Sequence, residues 1–322
     1  MSKKITSLIL CIVILITALC ACNTESEKTF FAMDTVNTIS LPEGKSSELN
    51  YLVNYITDLS KDLSAYEKDG ALYKLNNNKY LELDYYSDVY YAIEEAVFCS
   101  KASIGYFNTA IGAVTSLWDF EKEILPGKKA LKNALETVNL ENIVFLDNAI
   151  KLKNNVKIDL GGIAKGFALD RAVEYLTNKK ISEAYLNFGG SVCYLSKENK
   201  TIGIKKPFTE NEIVAEISVK NKIVATAGGY ERYFKKNNKM YHHILNPETG
   251  LPVNNDLLSV TVISDKGTYA DSLATALFVM GYERGLKYAE RNDIHAVFVL
   301  KDNSVKFSST LKYNTQNQIV IG

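Results

Sequence analysis

The segment IDLGGIAKGFALD, residues 158–170, decides how the chain is interpreted, because it predicts a strand that runs through a glycine turn into a helix. Gly161 and Gly162 allow a ligand to approach the backbone closely, and a helix N-terminus offers free N–H groups to phosphate oxygens. Lys165 adds a full positive charge. The segment matches neither GxxxxGK[ST] nor GxGxxG, so a nucleotide bound here is held by another fold. A tight turn without a ligand is the alternative interpretation.

The regions on either side of this segment predict both helices and strands. Apolar residues recur at helical spacing over 46–64, 87–100 and 269–280. Alternation around Asn154-Asn155 predicts a hairpin over 150–160. Because helices and strands do not alternate regularly, the pattern favours an α+β fold in one compact unit over a doubly wound sheet. Further predicted strands lie at 184–195, 201–205, 213–227, 258–264, 295–300, 305–308 and 318–321.

Composition describes an ordinary folded protein. Of 322 residues, 47% are hydrophobic and 23% are charged, which is typical of a globular chain. Lysine plus arginine equals aspartate plus glutamate at 37 each. This balance provides no overall field that attracts polyanions, so nothing in the composition supports a nucleic-acid partner.

The N-terminus has the pattern of an export signal. Lys3 and Lys4 precede an apolar run over 5–21, as in secretory signal peptides. The run ends in LCAC, residues 19–22, which is similar to the lipobox of bacterial lipoproteins. The sequence therefore predicts a signal peptide over 1–21. An uncleaved membrane helix is the alternative, although the run is short for a bilayer span.

Cleavage before Cys22 makes this residue the lipid-bearing start of the mature protein. Two acyl chains, such as palmitate, anchor a protein stably where one does not. We therefore expect residues 22–29 to be a tether and the fold to begin near Phe30, on the extracytoplasmic side of the cell membrane. The remaining Cys99 and Cys193 are too few for a disulfide scaffold and are interpreted as buried free thiols.

The segment YADSLATAL, residues 269–277, is a candidate metal site. Asp271 and Thr275 are four residues apart, so their oxygens share one helical face. Carboxylate and hydroxyl oxygens are hard ligands suited to Mg²⁺, which fills its other positions with phosphate and water. The alternative is an acidic residue that complements the helix dipole, with a threonine packed or bonded to its own helix.

The segment YHHILNPETG, residues 241–250, contains two of the three histidines. A histidine with a pKa near neutrality can accept a proton or hold a phosphate, and the alternative is a surface pair beside a turn. Zinc is disfavoured because no nearby cysteine or suitably spaced histidine completes a ligand set.

Taken in order, eight segments resemble the ApbE family of FAD:protein FMN transferases. The matching segments are MDT (33–35), LSAY (63–66), GYFNT with LW (105–109, 117–118), DLGGIAKG (159–166), NFGG (187–190), TAGGYER (226–232), HILNPETG (243–250) and ADSLATA (270–276). The resemblance implies an ApbE-like domain over 30–322, in which mixed sheets and flanking helices form a groove for FAD.

The resemblance also implies roles for particular residues. Mg²⁺ would be held by Asp271, Thr275 and the backbone carbonyl of Ala164, while His243 and Asp271 would be the catalytic residues. The residues implied to contact the flavin nucleotide are Met33, Tyr66, Tyr106, Phe107, Asn108, Lys165, His243 and Ile244. The chain departs from the common family pattern at 71–73, 106–108 and 226–228. Because Asn108 replaces a carboxylate, we assign no base there.

The activity that the resemblance implies is the Mg²⁺-dependent transfer of FMN from FAD to a threonine or serine hydroxyl, with release of AMP. The implied acceptors are exported or membrane electron-transfer flavoproteins, such as subunits of quinone reductases. Two alternatives remain open at this point. One is an FAD pyrophosphatase that gives FMN and AMP, and the other is a non-catalytic FAD-binding lipoprotein.

Overall fold

The fold centres on one eight-stranded sheet. The computed structural model describes residues 26–84, 87–209, 211–313 and 318–320. In the sheet the strand order is β1-β2-β6-β7-β10-β13-β14-β15, and neighbouring strands are antiparallel. These strands are β1 (Ser26–Ala32), β2 (Thr35–Leu41), β6 (Ala184–Phe188), β7 (Ser191–Leu195), β10 (Ile223–Gly228), β13 (Leu257–Ser264), β14 (His295–Leu300) and β15 (Val305–Phe307).

Three smaller β structures accompany this sheet: a four-stranded sheet in the order β16-β17-β9-β8, a three-stranded sheet β3-β5-β4 and a two-stranded ribbon β11-β12. Their strands are β3 (Tyr80–Glu82), β4 (Ile143–Leu146), β5 (Ala149–Leu152), β8 (Lys200–Lys205), β9 (Ile213–Val219), β11 (Tyr233–Lys236), β12 (Lys239–His242), β16 (Lys312–Tyr313) and β17 (Gln318–Val320).

The helices of the described ranges differ widely in length. They are α1 (Ser46–Asp62), α2 (Ala71–Asn78), α3 (Asp88–Ala102), α4 (Gly112–Thr115), α5 (Lys128–Leu135), α6 (Ala164–Asn178), α7 (Gly267–Met280) and α8 (Tyr282–Arg291). Within the same ranges, no helix combines the length and the apolar character that crossing a membrane requires.

The large sheet separates two hydrophobic cores, because successive residues of a strand point to opposite faces. In β10, Ile223 and Ala225 belong to the main core, which also contains the apolar faces of α1, α3, α6 and α7. Val224, which lies between them, belongs to a second core with Ile204 and Ile217 of the four-stranded sheet. The central layers are therefore helices, large sheet and small sheet.

The predicted α+β class is confirmed, and the predicted helices differ from α1, α3 and α7 by only about one turn at their ends. The hairpin predicted around Asn154-Asn155 is wrong. The strand β5 pairs with β4, and the chain after the turn is held instead by the side chain of Asn76. This amide accepts from the Ile158 N–H at 2.7 Å and donates to the Ile158 carbonyl at 2.8 Å.

The start of the fold also differs from the prediction. Strand β1 begins at Ser26 and pairs with Leu41 of β2, so residues 26–29 of the predicted tether are part of the sheet. The predicted signal peptide over 1–21 and the lipidation site Cys22 lie outside the described residues. Cys99 and Cys193 are both buried and free, as expected.

Candidate active site

The site is built around an unusually close contact between α6 and α7. A methyl group at Gly166 would lie 2.0 Å from the carbonyl oxygen of Gly267, and one at Gly267 would lie 2.2 Å from the carbonyl oxygen of Gly166. Only glycine at both positions allows the two backbones to approach this far. The contact fixes the first turn of α6 against the first turn of α7.

Asp170 of α6 fixes the same junction by capping the other helix. Its carboxylate accepts from the Gly267 N–H at 2.6 Å and from the Thr268 N–H at 2.9 Å, which pairs two of the donors that every helix N-terminus leaves free. Burial raises the pKa of Asp170, and these two hydrogen bonds oppose the shift. No local sequence pattern marks Asp170, because its partners lie almost a hundred residues away in the chain.

Asp170 already complements the N-terminus of α7. Asp271 is therefore not needed as the acidic residue that complements the dipole of this helix, which was the alternative interpretation. Asp271 lies in the second turn and is only 4% exposed. Its Oδ2 accepts from the Gly166 N–H at 3.0 Å, and its Oδ1 lies 3.5 Å from Nζ of Lys165. A buried carboxylate is thus held rigidly beside a cation at the N-terminus of α6.

Gly162 lies next to two more of the predicted site residues, Phe107 and Thr275. A methyl group there would lie 3.1 Å from Cε2 of Phe107 and 3.4 Å from Oγ1 of Thr275, so the bare turn lies between the ring and the hydroxyl. Ala164 is the first residue of α6 rather than part of the glycine turn, and α6 has no side-chain cap. The Ala164 N–H donates to the Leu160 carbonyl at 2.9 Å, so this helix end offers an anion its partial positive charge rather than a row of free N–H groups.

The available donors fit Mg²⁺ better than a transition metal. The described residues contain no group of three or more histidine, cysteine or acidic side chains that could hold a metal. The buried carboxylate of Asp271, the hydroxyl of Thr275 and the carbonyl of Ala164 supply only oxygen. Mg²⁺ is held by one or two such protein groups together with phosphate oxygens and water.

The adjacent histidines of the 241–250 segment have different environments. His242 is buried, its Nε2 donates to the Val253 carbonyl at 2.8 Å, and its Nδ1 accepts from the Ile244 N–H at 3.3 Å. Both of its ring nitrogens are thus used within the fold. Ile244 is itself buried and accepts a hydrogen bond from the Val253 N–H at 3.0 Å.

The ring of His243 is held through one of its two nitrogens only. Its Nδ1 lies 3.2 Å from the Arg232 carbonyl oxygen. Because a carbonyl only accepts, Nδ1 carries the proton and Nε2 keeps its lone pair. Burial lowers the pKa of His243 to about 4, and the bond to Arg232 opposes this shift. The imidazole is therefore neutral at pH 7, with a basic nitrogen available and with Lys165 among its charged neighbours.

The predicted flavin contacts Met33 and Tyr66 lie beside the segment after β10. The Met33 N–H donates to Oγ of Ser60 at 2.7 Å, in the turn between β1 and β2. The ring of Tyr66 is 61% exposed, and its charged neighbours include Arg232 and Asp34. A large aromatic surface is thus open to a ligand at this point.

Two of the predicted flavin contacts, Tyr106 and Asn108, have side chains that bond to other parts of the fold. The Tyr106 hydroxyl accepts from Arg284 of α8, whose guanidinium also lies over the Tyr106 ring. The Asn108 side chain accepts from the Ala110 N–H at 3.0 Å and stabilises its own loop. Phe107, between them, is the residue of this segment that faces the glycine turn.

Glu231 is a residue to which sequence analysis gave no role, although it lies within a matched segment. Its charged neighbours are Lys165, Asp271 and Lys205. The carboxylate therefore lies near the charged centre and belongs to the segment that follows β10. Sequence alone could not indicate this, because the pairing depends on how β10 meets α6 and α7.

A model of the ApbE family matches residues 33–298. An FAD:protein FMN transferase of Klebsiella pneumoniae is 35% identical over 222 residues, which cover 66% of this chain and 70% of the relative. A protein of the same name from Treponema pallidum is 32% identical over 274 residues, covering 77% and 75%. The solved ApbE protein of Thermotoga maritima is 30% identical with a TM-score of 0.82, covering 89% of this chain and 98% of that structure. The flavin transferase ApbE of Vibrio cholerae is 25% identical with a TM-score of 0.77 and the same coverage.

Proposed function

The chain belongs to the ApbE family, and from this premise we propose that it transfers FMN from FAD to a threonine or serine hydroxyl of an acceptor protein, with release of AMP. The observation that carries the proposal is the cluster of Asp271, Lys165 and the Gly166 N–H at the α6–α7 junction. A buried carboxylate next to a cation, at the positive end of a helix, suits a metal-bound pyrophosphate.

The reaction forms one bond and breaks one. The acceptor hydroxyl oxygen attacks the FMN phosphorus, the bond from that phosphorus to the bridging oxygen breaks, and AMP leaves with the bridging oxygen. The hydroxyl proton goes to Nε2 of His243, which the Arg232 carbonyl keeps in the tautomer with a free lone pair. No electrons are transferred.

Residues of the helices hold the charges of this reaction. Mg²⁺ held by Asp271, Thr275 and the Ala164 carbonyl would neutralise negative charge on the pyrophosphate and on the departing AMP. Lys165 lies 3.5 Å from Asp271 and is placed to bind a phosphate oxygen. The Gly166 N–H already holds the Asp271 carboxylate at 3.0 Å, so this proposed ligand costs no reorganisation during the reaction.

We assign the flavin end of FAD to the part of the site formed by Met33, Tyr66 and Phe107. Met33 and the exposed Tyr66 ring provide apolar and aromatic surface there, and Phe107 lines the glycine turn. Exported or membrane electron-transfer flavoproteins are the proposed acceptors. The proposed location is the extracytoplasmic face of the cell membrane, with the lipid on Cys22.

One assay separates this proposal from its alternatives. Purified protein is incubated with FAD, Mg²⁺ and a flavoprotein subunit of a membrane quinone reductase. We expect flavin fluorescence on the denatured acceptor band, together with one AMP per FMN attached. Free FMN and AMP without labelling would indicate a pyrophosphatase, and unchanged FAD would indicate binding without chemistry. Omission of Mg²⁺ is the control for metal dependence.

A further inference from the structure

A groove with no role in the scheme above runs over one face of the large sheet. Its volume is about 310 Å³, at the lower end of the range for ligand pockets. The floor is formed by alternate residues of β6, β7 and β10, which share one face of the sheet. These floor residues are Tyr185, Asn187, Val192, Tyr194, Val224 and Thr226.

The wall of the groove is the edge of β8. Five consecutive residues, 201–205, line it. Ile202 and Ile204 are buried on one face of the small sheet, whereas Thr201, Gly203 and Lys205 are exposed on the other. Because residues from both faces of β8 line the same groove, the groove runs along the edge of this strand. The backbone N–H and C=O groups of a strand are directed towards its edges.

This edge lacks most of the features that keep sheet edges from pairing. In the described part of the chain, β8 is the last strand of its sheet. Charged residues stand only at its two ends, Lys200 and Lys205, and the four residues between them are uncharged. The pairing of β8 with β9 shifts register between Ile204 and Lys205, so the edge is regular over 200–204. Natural edge strands are usually protected by central charges, proline or bulges, and an edge without a central charge or proline is a template for an added strand.

One end of the groove reaches the active site. Glu231 lines it there and has Lys165 and Asp271 as charged neighbours. Gly190 lines the same end, in the turn between β6 and β7. A methyl group at the adjacent Gly189 would lie 2.6 Å from Cγ2 of Thr35, so this turn touches the turn that carries Met33.

We propose that this groove binds the acceptor protein, as an extended segment that pairs with β8 and delivers its hydroxyl past Glu231 to the site. The proposal rests on the proposed function, because it assigns a place to the second substrate. Backbone pairing along β8 provides affinity with little regard to sequence, and the tyrosine-lined floor selects alternate side chains. A volume of about 310 Å³ is at the lower end of the range for ligand pockets and suits a short stretch of extended chain.

Blocking the distant end of the groove tests the proposal without touching the chemistry. Thr201 lies four residues before Lys205, about 13 Å along the strand at ~3.3 Å per residue. Thr201→Trp fills the groove at an exposed position. The matched control is Ser218→Trp, because Ser218 pairs with Thr201 on β9, one strand further from the groove. The probe is a quinone-reductase flavoprotein subunit to which the unmodified chain transfers FMN.

We expect Thr201→Trp to raise the KM for the acceptor about tenfold, the loss of roughly 1.4 kcal/mol of binding, while the Kd for FAD stays unchanged and Ser218→Trp behaves as the unmodified chain. An unchanged KM in Thr201→Trp would overturn the proposal. A weakened FAD affinity would also overturn it, because the groove would then hold the dinucleotide. Absence of FMN transfer by the unmodified chain to any acceptor would instead refute the proposed function.

Amide hydrogen exchange provides a second measurement that does not depend on a variant. Pairing with an added strand should slow exchange in 200–205 when the acceptor is present. FAD alone should leave these amides unchanged. Protection by FAD alone, or no protection by the acceptor, would contradict the assignment.

Discussion

The two walls of the active site are held in different ways. The helical wall, residues 162–170 with 267–275, is fixed by direct backbone contact and by the hydrogen bonds that the carboxylates of Asp170 and Asp271 accept from backbone N–H groups. The strand wall, residues 228–244, presents His243 through a single ring bond to a carbonyl. In the proposed function, residues of the helical wall therefore serve fold and chemistry together, whereas the strand wall assigns the structural role to His242 and the chemical role to His243.

The largest expected effect is on the chemistry of the helical wall. Asp271→Asn keeps the shape of the side chain but removes the charge that a hard cation requires. We expect transfer to fall on the order of a thousandfold, which corresponds to several kcal/mol of charge stabilisation. FAD binding should weaken less, and high Mg²⁺ should restore part of the activity. Transfer is measured by flavin fluorescence on the acceptor over a Mg²⁺ titration.

The matched control for this change is Asp265→Asn, an exposed aspartate just before the same helix, paired with Lys222 at 2.7 Å. It should leave transfer unchanged. Thr275→Val should act in the same direction as Asp271→Asn with a smaller effect, since it removes a neutral ligand. An unaltered rate and Mg²⁺ dependence in Asp271→Asn would show that the metal site lies elsewhere.

The next effect tests the division of tasks in the strand wall. His243→Gln should lower transfer about a hundredfold, the usual contribution of a general base, and leave the melting temperature nearly unchanged. His242→Gln should do the reverse, costing about 1–3 kcal/mol of stability because buried partners lose their hydrogen bonds. Thermal unfolding and transfer rates are measured on both variants. Equal losses of transfer would remove the distinction between the two rings.

A smaller effect is expected where the helical wall depends on backbone contact. Gly166→Ala places a methyl group against the Gly267 carbonyl, and overpacking of this kind costs about 1–3 kcal/mol or more. Gly127→Ala is the control, because nothing lies within 4 Å of a methyl group there. Chemical denaturation measures the difference. If Gly166→Ala were as stable as the control, the α6–α7 contact would not be tight.

The sequence predicted the helical wall better than the strand wall, for physical reasons. The glycine turn and the Asp271–Thr275 spacing are local patterns, so motif and helical periodicity marked them as candidates, and the resemblance to the ApbE family then favoured a metal site over the structural alternative. Asp170 and Glu231 act through partners distant in sequence, and no local pattern marks them. The hairpin predicted at Asn154-Asn155 failed for the same reason: the turn exists, but the partner of the following segment is Asn76, far away in the chain.

The smallest expected effect is the pH dependence of transfer. It tests the strand wall alone, because it follows from the protonation of the His243 ring. Burial lowers the pKa of His243 to about 4, with His242, Lys165 and Arg232 as charged or ionisable neighbours that favour the neutral ring. The ring of His243, the proposed base, is therefore neutral at pH 7 and remains so as the pH falls through 6.5. We expect kcat/KM for transfer to stay level down to about pH 5 and to fall below it, because this ratio reports the free enzyme.

The same shift has a consequence for stability, and its sign follows from proton binding. The unfolded chain takes up a proton on this histidine near pH 6.5, whereas the folded chain takes it up only near pH 4. The neutral ring thus contributes stability that is complete above pH 6.5 and is lost as the pH falls from 6.5 to 4. His243→Gln should flatten the melting temperature over this window and remove the acidic limb of the transfer profile. An acidic limb centred at pH 6.5, or one that persists in His243→Gln, would place the catalytic base outside the strand wall.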